Sequence, residues 1–130
     1  MSSVDPLYQA ALSARERAMA LYSGFKVGAA LQCKDGSVVT GCNIESSSYG
    51  LTICAERNAL FKAVSEGKQE FTRMLIVADT KRLTPPCGAC RQVLWDFAPH
   101  MEIIIANLEG KQMSFPMTDL LPHPFGSHLL

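Results

Sequence analysis

The feature that most constrains this chain is the order in which its apolar and helix-forming segments follow one another. Two apolar runs, residues 27–33 and 38–44, flank Asp35-Gly36, a dipeptide that favours a two-residue type I′ hairpin. Residues 52–64 are rich in helix formers, and residues 74–78 form a short apolar run typical of a buried strand. The sequence therefore predicts an antiparallel strand pair followed by a helix and a third strand.

The same helix-then-strand order recurs in the second half of the chain. Pro85-Pro86 begins a helical stretch that extends to about Phe97, and residues 102–106 contain three consecutive isoleucines, which favour a strand. Residues 113–115 predict a last short strand, and residues 119–121 a turn of helix. Because helices that connect strands favour parallel pairing, we expect an α/β fold of three layers, with helices on both faces of a mixed sheet of about five strands.

The N-terminal part of the chain predicts one further helix. Asp5-Pro6 resembles an N-cap followed by a first-turn proline, and apolar residues then recur at helical spacing on one face as far as Leu21. We expect this helix to end near Tyr22-Ser23-Gly24. With 130 residues, no repeat and no linker composition, residues 1–130 are predicted to form a single domain.

Charge and hydropathy exclude several classes of protein. Twelve basic and twelve acidic residues give a formal net charge of zero, which does not favour binding to nucleic acid or to anionic lipid. No apolar run approaches the roughly 20 residues of a membrane-spanning helix, and the N-terminus lacks the pattern of a signal peptide. We therefore expect a cytoplasmic protein with neither a nucleic-acid nor a membrane partner.

The five cysteines of the chain favour a metal site or catalysis, since an odd number cannot all pair and a cytosolic chain keeps its thiols reduced. Cys87-Gly88-Ala89-Cys90 places two thiols at a metal-ligand spacing near a predicted helix start, where the helix dipole favours thiolates. A redox pair of the thioredoxin type uses the same spacing. Cys33 and Cys42 lie in predicted strands and are expected to pack as small apolar residues.

A third cysteine sharpens this prediction. Cys54 precedes Ala55-Glu56 at another predicted helix start, so two helix N-termini could converge on one zinc ion. Three protein ligands leave a tetrahedral ion one position for water, which is typical of a catalytic site. A carboxylate at Glu56 could then act as general base and afterwards as general acid.

Four segments, residues 22–30, 41–45, 54–57 and 87–92, closely resemble the small, homotetrameric, three-cysteine cytidine deaminases, and this resemblance covers nearly the whole chain. It implies hydrolytic deamination of cytidine and deoxycytidine, with release of ammonia, as part of pyrimidine salvage. The resemblance also implies one zinc ion per subunit, held by Cys54, Cys87 and Cys90, with Glu56 as the proton shuttle.

The resemblance assigns further residues. Arg57 would hydrogen-bond a ligand sulfur and offset its charge, while Asn43 and Glu45 would bind the ribose hydroxyls. Phe25 would contact the base or the sugar, and the backbone of Ala55 would read the base edge.

Two aromatic residues, Tyr49 and Phe125, match positions that reach the pocket of a neighbouring subunit, which implies active sites shared across a homotetramer. The chain departs from the family pattern at Ser47 and Asn58, which concerns substrate preference more than the reaction.

Two other functions remain open from the sequence. A deaminase of RNA or DNA would use the same zinc chemistry but calls for a basic or aromatic surface. A structural zinc module would need a fourth protein ligand, for which His100 is a candidate, and would not need Glu56.

Overall fold

The computed structural model describes residues 5–130. Residues 1–4, on which the expectation about a signal peptide partly rests, lie outside this range. The elements in chain order are α1 (Leu7–Arg15), β1 (Val27–Cys33), β2 (Val38–Cys42), α2 (Ala55–Ser65), β3 (Phe71–Ala78), α3 (Gly88–Phe97), β4 (Glu102–Ala106), β5 (Gln112–Pro116) and α4 (Met117–Leu120), with 3-10 turns at Tyr49–Leu51 and Ser127–Leu129. Among these residues, no helix is long and apolar enough to cross a membrane.

The five strands form one mixed sheet in the order β2-β1-β3-β4-β5, which confirms the predicted fold class. β3 and β4 pair in parallel, while the other neighbouring strands are antiparallel, including β5 at the far edge. The parallel pair requires a crossover, and α3 supplies it. Because β3 and β4 are parallel, their carboxyl ends lie at the same end of the sheet. The connection from β3 to α3 also begins there, and such loops can form a site.

Both faces of the sheet are buried, because alternate residues of each central strand enter different apolar clusters. In β3, Met74 packs with α2 and α3 on one face, whereas Leu75 packs with α1 on the other. Ile103 and Ile104 of β4 divide in the same way. Helices thus cover both faces, giving three layers.

The first helix is shorter than predicted. It ends at Arg15, and the chain then runs alongside the segment that follows β2. The Met19 amide donates to the Asn43 carbonyl at 3.0 Å, and the Met19 carbonyl accepts from the Glu45 amide at 2.8 Å. The prediction that the helix reaches Gly24 was wrong, because these long-range backbone hydrogen bonds replace the helical ones and leave Leu21 exposed.

The hairpin between β1 and β2 also differs from the prediction. Cys33 and Ser37 close a three-residue loop, in which the Gly36 amide donates to the Cys33 carbonyl at 2.9 Å. Gly36 has a φ of 91°, whereas Asp35 does not have a positive φ. A type I′ turn needs positive φ at both central residues, so this loop is a type I turn followed by a left-handed glycine.

The helices that precede β3 and β4 begin later than predicted. α2 begins at Ala55, because the Ile53 amide donates to the Ile44 carbonyl at 3.0 Å and holds the preceding residues extended. α3 begins at Gly88, after Pro86, with Cys87 as its N-cap. Cys54 is the N-cap of α2, so both helices begin directly after a cysteine.

Candidate active site

Three cysteines meet where α2 and α3 begin. Cys54 and Cys87 are the N-cap residues of the two helices, and Cys90 lies in the first turn of α3. Their three sulfur atoms lie within 4.8 Å of one another, with 3.9 Å between the Sγ atoms of Cys54 and Cys87. Cys90 is fully buried, whereas Cys87 is exposed. The cluster is therefore open to solvent on one side.

The geometry and acidity of the cluster fit a divalent metal. Zn–S bonds of about 2.3 Å give a tetrahedral S–S edge of about 3.8 Å, close to the observed spacing. Hydrogen bonds from the Cys90 thiol and from Arg57 lower the pKa of Cys54 to about 5. The Cys54 thiolate in turn raises the pKa of Cys90. All three thiols can ionise together only if a cation offsets their mutual repulsion, and zinc is a cation that thiolates prefer.

Arg57 contributes a positive charge beside this cluster. Its Nη2 donates to the Cys54 sulfur at 3.5 Å, while its buried Nε has no hydrogen-bond partner among the described residues. Three thiolates and one divalent ion carry a net charge of −1, which the guanidinium offsets. The first turns of α2 and α3 add the positive ends of two helix dipoles.

Glu56 lies in the first turn of α2, two residues after Cys54, and is 5% exposed. Burial raises the pKa of its carboxyl group to about 7. A carboxyl group with a pKa near neutrality can both accept and donate a proton during one reaction. Its position beside the thiol cluster therefore suits acid-base chemistry better than helix capping.

A cavity of about 180 Å³ lies in front of the cluster. Its walls include Cys54, Cys87 and Glu56, together with the predicted residues Phe25, Asn43 and Ala55. Sequence reasoning missed the other lining residues, which are Val27, Thr52, Ile76, Thr84 and Pro85. Thr52 and Thr84 each lie within three residues of a cysteine of the cluster, and this closeness in sequence could have predicted them.

A second, outer cavity of about 410 Å³ shares Thr52 with the inner one. It is lined by Tyr22, Ser23, Glu45 and Tyr49 as well. The rings of Tyr22 and Tyr49 meet edge to face, with 6.0 Å between their centroids. The inner cavity is small for a whole nucleoside, but the two together match the usual size of a ligand site.

The two polar residues predicted to bind a sugar already hydrogen-bond the protein. Asn43 is 7% exposed; its Oδ1 accepts from the Val27 amide and its Nδ2 donates to the Phe25 carbonyl, both at 2.8 Å. Glu45 accepts from the backbone amides of Tyr22 and Ser23. Since Nδ2 of Asn43 carries two N–H groups and only one donates to Phe25, the side chain of Asn43 keeps one N–H for a ligand.

Two residues lie away from these cavities. Phe125 is 58% exposed, its carbonyl accepts from Gln92 Nε2 at 2.7 Å, and it lines neither cavity. His100 is exposed and does not belong to the metal-ligand group, which among residues 5–130 comprises the three cysteines. The cluster thus has the three-ligand composition expected of a catalytic zinc site.

Comparisons with known proteins decide the family. The family model for the cytidine and deoxycytidylate deaminase zinc-binding region matches residues 1–106. The chain belongs to this deaminase family. It is 52% identical over 120 residues to the cytidine deaminase of Halalkalibacterium halodurans, covering 92% of this chain and 91% of that protein. It is 46% identical to the cytidine deaminase of Sporosarcina psychrophila over 94% of this chain and 90% of the relative.

Solved structures agree with this membership. The cytidine deaminase of Burkholderia pseudomallei superimposes with a TM-score of 0.89 at 48% identity, covering 92% of this chain and 96% of that chain. The cytidine deaminase of Mycobacterium tuberculosis superimposes with a TM-score of 0.77 at 39% identity, covering 89% and 91%. The fold and the zinc-binding region expected from the sequence are confirmed.

Proposed function

We propose that this chain is a zinc-dependent deaminase that converts cytidine and deoxycytidine to uridine and deoxyuridine, with release of ammonia. The observation that carries the proposal is the buried carboxyl group of Glu56 beside a three-thiol cluster at the wall of a cavity. Membership of the deaminase family supports the reaction class, and two relatives named cytidine deaminase, at 52% and 46% identity, support the substrate.

The cysteines would hold the metal, and Glu56 would move protons. Cys54, Cys87 and Cys90 would bind one zinc ion per subunit, which would supply Lewis acidity and lower the pKa of a water to about 7. Glu56 accepts a proton from the attacking water and donates one to N3 of the base, which makes C4 more electrophilic. Glu56 then takes the proton of the new hydroxyl group on C4 and donates it to the amino group, so that the C4–N bond breaks, ammonia leaves and the C4 carbonyl of the product forms. Arg57 stabilises the Cys54 thiolate throughout.

The remaining residues bind the substrate. Phe25 contacts the base or the sugar, and the backbone of Ala55 reads the base edge; these roles are supported by the position of both residues in the lining of the inner cavity. Asn43 offers one free N–H to a ribose hydroxyl, and Glu45 offers a carboxylate oxygen in the outer cavity. The nucleoside thus extends across both cavities with Thr52 at their junction.

A panel of cytosine compounds tests the substrate. Cytidine and deoxycytidine should release ammonia rapidly, whereas cytosine, cytidine monophosphate and a cytosine-containing oligonucleotide should react slowly. Comparable turnover of the oligonucleotide would refute the free-nucleoside proposal in favour of a strand-editing enzyme.

A variant pair tests the role of Glu56. The Glu56→Gln variant should keep one equivalent of zinc and lose about 10²- to 10⁴-fold in kcat, the usual contribution of a general acid-base group. Glu66→Gln, an exposed residue at the end of α2, is the matched control and should react like the native protein. Full activity of Glu56→Gln would refute the proposed role of Glu56 as the proton shuttle.

The proposal extends to the assembly. The enzyme acts in the cytoplasm in pyrimidine salvage, as a single-domain protein that forms a homotetramer in which Phe125 and Tyr49 reach the site of a neighbouring subunit. The exposure of both aromatic side chains supports this arrangement.

Mixing inactive subunits tests the sharing of sites. Phe125→Ala homotetramers and Glu56→Ala homotetramers should each have low activity. Reassembly of the two together should restore activity, because some sites then combine native Glu56 from one subunit with native Phe125 from the other. Reassembled mixed tetramers with no more activity than the parents would contradict shared sites.

A further inference from the structure

A serine that the proposed function does not use, Ser23, joins the two cavities through its hydrogen bonds. Its hydroxyl donates to Oε2 of Glu45, and the same oxygen of Ser23 accepts from the Phe25 amide at 3.0 Å. Ser23 therefore lies between the carboxylate of the outer cavity and the backbone of the aromatic residue that lines the inner one.

Counting acceptor sites shows what this contact does to Glu45. A carboxylate has about two lone-pair sites on each oxygen. Oε1 accepts from the Tyr22 amide at 2.9 Å and the Ser23 amide at 3.1 Å, so both of its sites are filled. Oε2 accepts from the Ser23 hydroxyl, which leaves one site. Glu45 can thus accept from one further donor.

These hydrogen bonds also keep Glu45 ionised. The Ser23 hydroxyl, followed by the amides of Ser23 and Tyr22, holds the pKa of the Glu45 carboxyl group below its usual range. A carboxylate fixed by three donors is also better oriented as an acceptor than a free glutamate side chain. Glu45 is half-buried and lines the outer cavity, and these three donors select one orientation of its carboxylate there.

We propose that Ser23 is a positioning residue, which holds Glu45 so that the remaining acceptor site on Oε2 receives one hydroxyl of the sugar ring, 2′ or 3′. This inference rests on the proposed function, because it takes the ligand of the outer cavity to be the sugar of a nucleoside. It assigns to Ser23 a role in sugar recognition and none in the proton transfers at the base.

The test compares two nucleosides on two serine variants. Ser23→Ala should lower kcat/KM for cytidine by about 10-fold, mainly through KM, the usual effect of one lost hydrogen bond to a charged group. With 2′,3′-dideoxycytidine, which lacks the 2′- and 3′-hydroxyls and keeps only the 5′-hydroxyl, the loss should be less than about 2-fold. Ser23→Thr keeps the hydroxyl and should restore the native KM.

Ser37 provides a matched control, since its hydroxyl and amide both donate to the Asp35 carboxylate in the β1–β2 hairpin, away from both cavities. Ser37→Ala should leave kcat/KM unchanged. In a Glu45→Ala background, adding Ser23→Ala should lower kcat/KM for cytidine far less than Ser23→Ala does in the native protein, because the partner through which Ser23 acts is absent.

The outcomes separate the inference from the function on which it rests. Equal losses with cytidine and dideoxycytidine, or fully additive effects of Ser23→Ala and Glu45→Ala, would overturn the positioning role while leaving the deaminase proposal intact. No turnover of any nucleoside by the native protein would overturn the proposed function, and this inference with it.

Discussion

Replacing Arg57 by glutamine should weaken zinc binding by about 10- to 30-fold. The Arg57 guanidinium donates to the Cys54 sulfur at 3.5 Å and offsets the net charge of −1 that three thiolates and one divalent ion carry. A hydrogen bond between charged groups contributes about 1.5–3 kcal/mol. Arg57 is only partly buried, so solvent screens its charge and the lower half of this range applies, about 1.5–2 kcal/mol. Each 1.4 kcal/mol corresponds to about 10-fold in affinity.

Competition with a chromophoric chelator measures this effect directly. Arg57→Lys should bind zinc with intermediate affinity, because an ammonium group keeps the charge but loses the planar donors. Arg17→Gln, an exposed arginine on the chain after α1, is the control and should bind zinc like the native protein. Zinc affinity in Arg57→Gln within about 2-fold of the native value would refute the charge-offset reasoning.

Three further predictions concern stability. Leu60→Ala removes a fully buried side chain of α2 and should lower the free energy of unfolding by about 2–5 kcal/mol in a urea titration; a smaller loss would show that α2 is loosely packed. Gly41→Ala should cost about 1–3 kcal/mol, because the new Cβ would lie 2.4 Å from a backbone nitrogen of α2, and an unchanged urea midpoint would contradict this close approach. A hydrogen bond from the Ser37 hydroxyl, and a second one from Lys68, lower the pKa of the Asp35 carboxyl group. The ionised Asp35 side chain therefore stabilises the fold above its unfolded pKa of about 3.9, and this stabilisation is lost as the pH falls below that value. In Asp35→Ala, the free energy of unfolding should therefore fall less steeply than in the native protein between about pH 4 and pH 2. Urea titrations at several pH values measure this, and an equally steep fall in both proteins would contradict the prediction.

Elements with a strong local signal could be predicted from the sequence. The isoleucines of β4 and the apolar run in β3 are continuous, so their burial on both faces follows from composition alone. The clustering of Cys54, Cys87 and Cys90 could be predicted as well, because each lies at or just after the start of a helix, where spacing and dipole both favour thiolates.

Features set by long-range hydrogen bonds could not be predicted. Ala18 and Leu21 fit the periodicity of a helix, but backbone pairing of Met19 with residues more than 20 positions away ends α1 early. The type of the hairpin turn depends on the backbone angles of Asp35, which the dipeptide alone does not fix. The contact of Ser23 with Glu45 likewise joins residues 22 positions apart, so no local pattern reveals it.

Removal and return of zinc test the central claim most directly. Ammonia release from cytidine should fall to background when a chelator strips the metal from the purified protein, and one equivalent of zinc per chain should restore it. Under the same conditions, zinc-loaded Glu56→Gln should keep the metal and release ammonia at least about 10²-fold more slowly than the native protein. Cytidine deamination that persists after complete removal of zinc, or full activity of the zinc-loaded Glu56→Gln variant, would contradict the account.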